Sequence, residues 1–272
     1  MHLLVFIKQV PDASQVRVNY DTGTLIREGV PAIINPFDKH AIEEAVRIKE
    51  KFSGTVSVIT MGPPMAESSL KEALSMGVDD AYLLSDRVFA GSDTLATSYA
   101  LWAGAKKIIE EKGDVDIFLS GKQAIDGDTA QTGPGIATRF DIPLVTYAIA
   151  IKDIDLKKRT IEIVRLIESG TETIETTFPC FITVEEEINK IRYAPLPYLI
   201  RAARATIKIL NTKNTKIDSS KCGLKNSPTK VKKAFTPQKR ERGEMINKGS
   251  MQDTLNFLYE NIESTLKDMG KI

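Results

Sequence analysis

The 272-residue chain has little from which to build a metal centre or a disulfide framework. It holds two cysteines, Cys180 and Cys222, and two histidines, His2 and His40. Cys180 lies in an apolar, strand-like run and Cys222 in a polar tail, so a disulfide scaffold is not expected and a reducing compartment is. Histidines this far from the cysteines do not make a zinc site. No apolar run approaches the length of a membrane span. The opening MHLLVFIKQVPD is too short and too quickly polar for a secretion signal, so the expected location is the cytoplasm. The formal net charge is only +1, which argues against a polyelectrolyte binder. No Gly-x-Gly-x-x-Gly follows the first strand, and no Gly-x-x-x-x-Gly-Lys-Ser/Thr occurs, so both common nucleotide fingerprints are missing. No Ser/His/Asp or Cys/His arrangement for nucleophilic catalysis is evident either.

What is present is alternation. Leu3–Lys8 reads as a first buried strand. A helix follows, with Ala41, Ile42, Ala45, Val46 and Ile48 on one face, Asn35 as its N-cap and Pro36 at its first position, where a missing N–H costs nothing. Thr55–Gly62, Asp80–Asp86 and Val115–Gly121 read as further strands, separated by helices over Pro64–Gly77 and Ser92–Gly113. This order predicts a Rossmann-like α/β fold: an open, mostly parallel sheet with helices on both faces. Ligands in such sheets sit beyond the carboxyl ends of the strands. After Pro143 the pattern changes to consecutive strands with turns at Asp153–Lys158 and Ser169–Gly170, expected as partly antiparallel additions at the sheet edge.

The expected division is an α/β domain over residues 1–210 and a basic extended arm over 211–272. Asn211–Ser250 carries 11 Lys/Arg against 3 Asp/Glu, a local net of +8, and lacks the apolar periodicity to fold alone. Its lysines are scattered and Phe235 is its one aromatic residue, which argues against nucleic acid. A last helix starts at Ser250, with Asp253 in its first turn, Leu255, Leu258, Tyr259, Ile262 and Leu266 on one stripe, and Gly270 as its stop.

The stretch GKQAIDGDTAQTG, Gly121–Gly133, follows a strand and opens a helix. Asp128 and Gln131 have capping-box spacing, which favours a helix starting at Thr129. A rival start puts Pro134 at the first helical position. Either start leaves backbone amides over Gly127–Thr132 available to an anion. Asp126 and Asp128 would repel a phosphate they faced, so they suit caps or acceptors for ribose hydroxyls. The competing reading is a polar βα turn capped by its own aspartates.

This stretch resembles the signature of electron-transfer flavoprotein beta subunits. So do KQVPD at Lys8–Asp12, the run Thr22–Glu50, MGPP at Met61–Pro64, Glu72–Asp86 and RYAPLPYLIRA at Arg192–Ala202. The resemblance implies a Rossmann-like fold and an alpha-subunit partner that holds a redox-active FAD. It also implies an adenine-nucleotide site formed by Phe6, Asn35, Pro36, Phe37, Asp38, Met61 and the loop Gly121, Lys122, Gln123, Ala124, Ile125, Asp126, Gly127, Asp128, Thr129, Ala130, Gln131 and Thr132. Similarity to the electron-bifurcating branch rests on three places: KQVPD, the small residues Gly127, Thr129 and Ala130, and the loop and helix start Phe89–Leu101. The last adds Gly91, Asp93, Thr94 and Thr97 as polar contacts. Its competing reading is a helix start capped by Ser92.

The bifurcating resemblance implies that the nucleotide is an FAD that accepts hydride from NADH. One electron then goes to ferredoxin or flavodoxin. The other goes, through the alpha-subunit FAD, to an acyl-CoA or 2-hydroxy-acid dehydrogenase. Such activity is expected only in the complex. The alternatives are a beta subunit with structural AMP and, from another class, an adenine-nucleotide-sensing module. Leu196, between two prolines, suits a core plug on composition. The resemblance makes it the leucine by which the chain docks on the dehydrogenase.

Overall fold

The computed structural model describes residues 1–12, 17–18, 25–26, 31–231 and 249–270. Most of the resemblance stretch Thr22–Val30, and the basic residues 232–248 with Phe235, lie outside them. Two compact units divide the chain, Met1–Lys233 and Ala234–Ile272.

The first unit begins with β1 (His2–Phe6) and short strands β2 (Gln9–Pro11), β3 (Arg17–Val18), β4 (Leu25–Ile26) and β5 (Ala32–Ile34). Then come α1 (Pro36–Phe52), β6 (Thr55–Met61), α2 (Glu67–Ser75), β7 (Asp80–Leu84), α3 (Thr94–Lys112), β8 (Ile117–Gly121) and α4 (Thr132–Phe140). The chain continues through β9 (Leu144–Asp155), β10 (Thr160–Ile167), β11 (Gly170–Thr177), β12 (Cys180–Val184), α5 (Leu196–Arg204), β13 (Lys208–Leu210) and α6 (Gly223–Asn226). The expected helices and strands before Pro143 are all found, with Gly113 ending α3 at positive φ.

The main sheet has nine strands in the order β11-β10-β9-β12-β8-β1-β6-β7-β13. The strands from β9 through β12 to β13 pair in parallel, while β10 runs antiparallel to β9 and β11. The antiparallel edge agrees with the expectation. Two features differ from a plain edge addition. β12 returns past its hairpin neighbours and inserts between β8 and β9. β13 closes the opposite edge beside β7, although its three residues carry no strand pattern of their own. Alternation along β1 divides the core: Leu3 and Val5 face Ile42, Val46 and Leu70 on the α1/α2 side, whereas Leu4 and Phe6 face Ile108, Phe118 and Phe181 on the α3/α4 side.

Residues 211–231 pack on α3 and belong to the first unit. Ile217 and Cys222 are buried in the α3-side core, and the Tyr99 hydroxyl accepts from the amide of Asp218 at 3.0 Å. Two apolar anchors and hydrogen bonds to Asp86, Ser92, Asp93 and Tyr99 seat this polar stretch on a surface that the rest of the domain supplies. In the second unit, α7 (Met251–Asp268) starts as expected: the Ser250 hydroxyl accepts from the Asp253 amide at 3.1 Å. Leu255, Leu258, Tyr259 and Ile262 are exposed on it.

Candidate nucleotide site

β1 is the strand at which the winding reverses. α1 carries the chain from β1 to β6 on one side, and α3 later returns it to β8 on the other. The carboxyl ends of β1 and β8 therefore flank a topological switch point, the place where open α/β sheets take ligands. One carboxylate ties these ends together. Asp38, buried in the first turn of α1, accepts from the Lys8 amide at 2.7 Å through Oδ2 and from the Gly121 amide at 2.9 Å through Oδ1. Burial pushes its pKa up to about 7, against the pull of the two amides.

Asn35 departs from the expected cap. It occupies the N-cap position of α1 without a capping bond. Its side chain instead reaches the β8–α4 loop, donating through Nδ2 to the Gln123 carbonyl at 2.8 Å and accepting through Oδ1 from the Ile125 amide at 3.1 Å. The Asp38 amide that a cap would serve donates instead to the Asn35 carbonyl at 2.9 Å, which leaves the side chain to the loop's backbone groups. Phe37 lies beneath the Lys122 ammonium, 4.7 Å from its ring centre, and that ammonium pairs with buried Glu185 at 2.9 Å.

The loop itself differs from both expected helix starts. α4 begins at Thr132, so Pro134 is its third residue, and neither Asp126 nor Asp128 caps it. Asp128 and Ala130 adopt left-handed backbone, φ 53° and 54°, which a helix starting at Thr129 would forbid. The Asp128 carboxylate accepts from the Gln123 side-chain amide, and both Asp126 oxygens accept from the Lys8 ammonium at 2.7 Å. The acids are thus engaged by the loop's own neighbours. Of the amides from Gly127 to Thr132, only that of Asp128 has an acceptor among the described residues, the Ala124 carbonyl at 2.9 Å. Successive free N–H groups around left-handed residues form an anion-binding concavity. The side chains beside them are small, and the loop is exposed from Ile125 to Thr129.

The other expected contacts are distributed unevenly. Phe6 is buried, its ring stacked on Phe181 and Phe118 at 5.6 and 6.4 Å, so only its backbone faces the crevice end of β1. Met61 ends β6 half-buried. At the start of α3 the cap is Asp93, not Ser92: the Ala96 amide donates to Asp93 Oδ1 at 3.0 Å. Its Oδ2 accepts from the Thr229 amide and hydroxyl at 2.9 and 2.8 Å. Desolvation opposes ionisation of Asp93, but these donors hold its pKa below the usual carboxylate range. Gly91 is exposed, with Leu224 2.9 Å from where a Cβ on it would sit, while Thr94 and Thr97 are half-buried in the first turn. The side chains of Lys8, Glu185 and Thr229 escaped the sequence reading, because each meets the site across a long chain separation that no local pattern announces. Among the described residues, no group of three or more His, Cys, Asp or Glu is arranged to hold a metal ion.

Comparison with known proteins agrees with this architecture. The family model described as the electron transfer flavoprotein domain matches residues 22–214. A protein of Azotobacter vinelandii called Protein FixA is 54% identical over 248 residues, covering 90% of this chain and 88% of that one. The electron transfer flavoprotein subunit beta of Thermoanaerobacterium thermosaccharolyticum is 47% identical over 265 residues, 97% of this chain and 98% of its own. That of Clostridium acetobutylicum is 45% identical over 248 residues, 91% and 93% of the two chains. With a matching family model over most of the first unit and relatives aligned nearly end to end, the chain belongs to the electron transfer flavoprotein family, as a beta-subunit-type member.

Proposed function

We propose that this chain holds an FAD in the crevice between β1 and β8 and works in the cytoplasm as the beta subunit of a bifurcating heterodimer. The observation that carries the reading is the run of unpartnered amides around Ala130, set at the switch point and flanked by small side chains. A diphosphate fits that chemistry. It needs donors without a competing carboxylate, and Asp126 and Asp128 are both turned to internal partners. Backbone amides supply those donors, and small side chains let the ligand approach them. Asn35 and Asp38 hold the loop against α1 and β1, so the donors are ordered before ligand arrives.

When bound, the flavin supplies the redox chemistry: acceptance of hydride from NADH, then delivery of electrons to ferredoxin or flavodoxin and, through an alpha-subunit FAD, to an acyl-CoA or 2-hydroxy-acid dehydrogenase. The chain's own residues bind and orient. No proton-transfer role falls to Asp93, whose two oxygens already serve Ala96 and Thr229. Leu196 docks the dehydrogenase, and α7 packs on the alpha subunit through its apolar stripe. Among the described residues no helix is long and apolar enough to cross a membrane.

A second reading, a structural AMP, uses the same loop for a single phosphate and its ribose. Asp93 favours it, because a carboxylate that already serves Ala96 and Thr229 is less free to meet a larger ligand. Purification of the co-expressed heterodimer decides between them. Two flavins per heterodimer, with bleaching by NADH under anaerobic conditions, is the expected result. One flavin and one AMP assigns the second reading. A colourless, ATP-binding chain indicates a nucleotide sensor and overturns both.

A further inference from the structure

Leu196 opens α5 with its side chain 68% exposed, and Leu199 and Ile200 stand exposed on the same helix face at the i+3 and i+4 positions. Tyr193, three residues earlier, is 98% exposed. The apolar face is exposed while the helix packs on α2 and puts Ala202 in the core, and the segment is held firmly at both ends.

At its start, Arg192 grips α1. Its Nε donates to Glu43 Oε2 at 2.8 Å and its Nη2 to Glu43 Oε1 at 3.1 Å, a fork on a carboxylate that is itself buried. The same guanidinium reaches Glu50, two turns further along α1, at 2.5 and 3.0 Å. The Arg192 backbone amide adds a bond to Glu43 Oε2 at 3.2 Å. The residue is therefore fixed by main chain and side chain at once. Glu50 is drawn below the usual carboxylate range by its bonds from Arg192. Just upstream, Asn189 is bonded to His40 and to Glu44, again on α1. At the far end, Arg201 donates to the carbonyls of Leu74 and Val78 at 3.1 and 2.7 Å, at the close of α2, and lies over the Tyr198 ring.

We propose that Arg192 is the positioning residue of the Leu196 surface. Its fork on Glu43 and Glu50 presets the segment Tyr193–Ile200 for a partner's apolar pocket, so that the segment need not be ordered on binding. The inference rests on the docking role of Leu196. The physical argument is that planar, charge-assisted bonds fix direction as well as distance. Only Tyr193, Ala194 and Pro195 separate the fork from Leu196, and Pro195 (φ −66°, ψ 144°) transmits that direction stiffly. The Glu43 half of the clamp is buried and escapes the screening that weakens exposed ion pairs.

Arg192→Gln in the intact heterodimer tests this by hydrogen exchange and by electron transfer to a purified short-chain acyl-CoA dehydrogenase as probe. Amides of residues 193–200 are expected to exchange about tenfold faster, with those of β1 and β8 unchanged. KM for the dehydrogenase is expected to rise about five- to tenfold at unchanged kcat and flavin content, the ordering cost of two or so side chains. Glu50→Gln removes the exposed half of the clamp alone and gives the same changes at smaller amplitude, which decides the matter if Arg192→Gln fails to fold. Unchanged exchange over 193–200 in the folded variants overturns the inference. Leu196→Ala run alongside separates the two ideas: no effect of that change on KM removes the docking role, while the exchange measurement still judges the clamp.

Discussion

Asp38 Oδ1 stands 2.9 Å from the amide nitrogen of Gly121 and 2.6 Å from where a Cβ on that glycine would sit. The same Cβ would lie 2.5 Å from the Cβ of Phe37 and 2.7 Å from its carbonyl carbon. The carboxyl end of β8 can reach the start of α1 only because position 121 has no side chain. Gly121→Ala must push the helix start away, and overpacking of this kind costs about 1–3 kcal/mol. The expected outcome is a lower unfolding midpoint together with loss of bound nucleotide, read by chemical denaturation and by nucleotide content after purification. A variant as stable and as loaded as the parent contradicts this packing.

The raised pKa of Asp38 predicts a pH dependence with a definite sign. Below the unfolded value of 3.8 the group is protonated in both states and contributes nothing. As pH rises to about 7 the folded state keeps a proton that the unfolded state has lost, so stability falls through this window and is level above it. Asp38→Asn removes the titration while leaving one oxygen to accept an amide. The stability of the parent relative to this variant should decline from pH 4 to pH 7 in a urea series. A relative stability that climbs over that range means the Lys8 and Gly121 amides outweigh burial.

Asn35→Ala leaves the Gln123 carbonyl and the Ile125 amide without their partner. Stranding a buried polar group costs about 1–3 kcal/mol and a part-buried one less, and here the cost is concentrated on the ligand loop. Amide exchange over residues 123–130 should quicken and nucleotide affinity should drop, with α1 otherwise intact. Protection of the loop at the parental level would falsify the brace assigned to Asn35.

Much of this fold was legible in the sequence because its elements end on chemistry that acts locally. Pro36 opens α1, Gly113 ends α3, and Ser250 caps α7, each by a backbone rule that needs no neighbour. The site was less legible. Asn35, Asp38 and Asp93 stand at helix starts, but the bonds that tie them to other elements span 30 to 136 residues, and local capping logic sends the Asn35 side chain to the wrong donor. The spacing of Asp128 and Gln131 failed for a different reason. Asp128 itself and the intervening Ala130 are left-handed, and backbone conformation overrides a side-chain motif. β13 was invisible because a three-residue strand takes its register from Tyr82, Leu83 and Leu84 and not from itself.

Ala130 sits at φ 54° among the free amides, a conformation that costs an L-residue about 1–2 kcal/mol. Glycine adopts it freely, so Ala130→Gly should retain nucleotide and keep or raise stability. Ala130→Trp should displace FAD more than AMP, since bulk at this point blocks approach to the backbone beyond the first phosphate. Flavin and AMP contents of the purified heterodimer are the readout. An undiminished two-flavin stoichiometry in the tryptophan variant places the diphosphate elsewhere.

A core plug was one reading of Leu196, between its two prolines, and the structure does not place it there: the side chain is mostly in solvent, and Tyr193 and Leu199 close no core around it. Truncation should therefore leave the fold alone, unlike the loss of a buried leucine, which costs about 2–5 kcal/mol. If the side chain fills an apolar pocket on the dehydrogenase, its burial contributes roughly 1.5–3 kcal/mol, about one to two decades in dissociation constant. Leu196→Ala is thus expected to show the parental unfolding midpoint, the parental flavin content and a normal rate of anaerobic reduction by NADH, with dehydrogenase affinity lowered tenfold or more. Steady-state assays at varied dehydrogenase, beside stopped-flow reduction by NADH, separate the two steps. Loss of stability or of flavin in this variant would show that the exposed leucine supports the chain itself, and an unaltered dehydrogenase dependence would move the docking surface to another face.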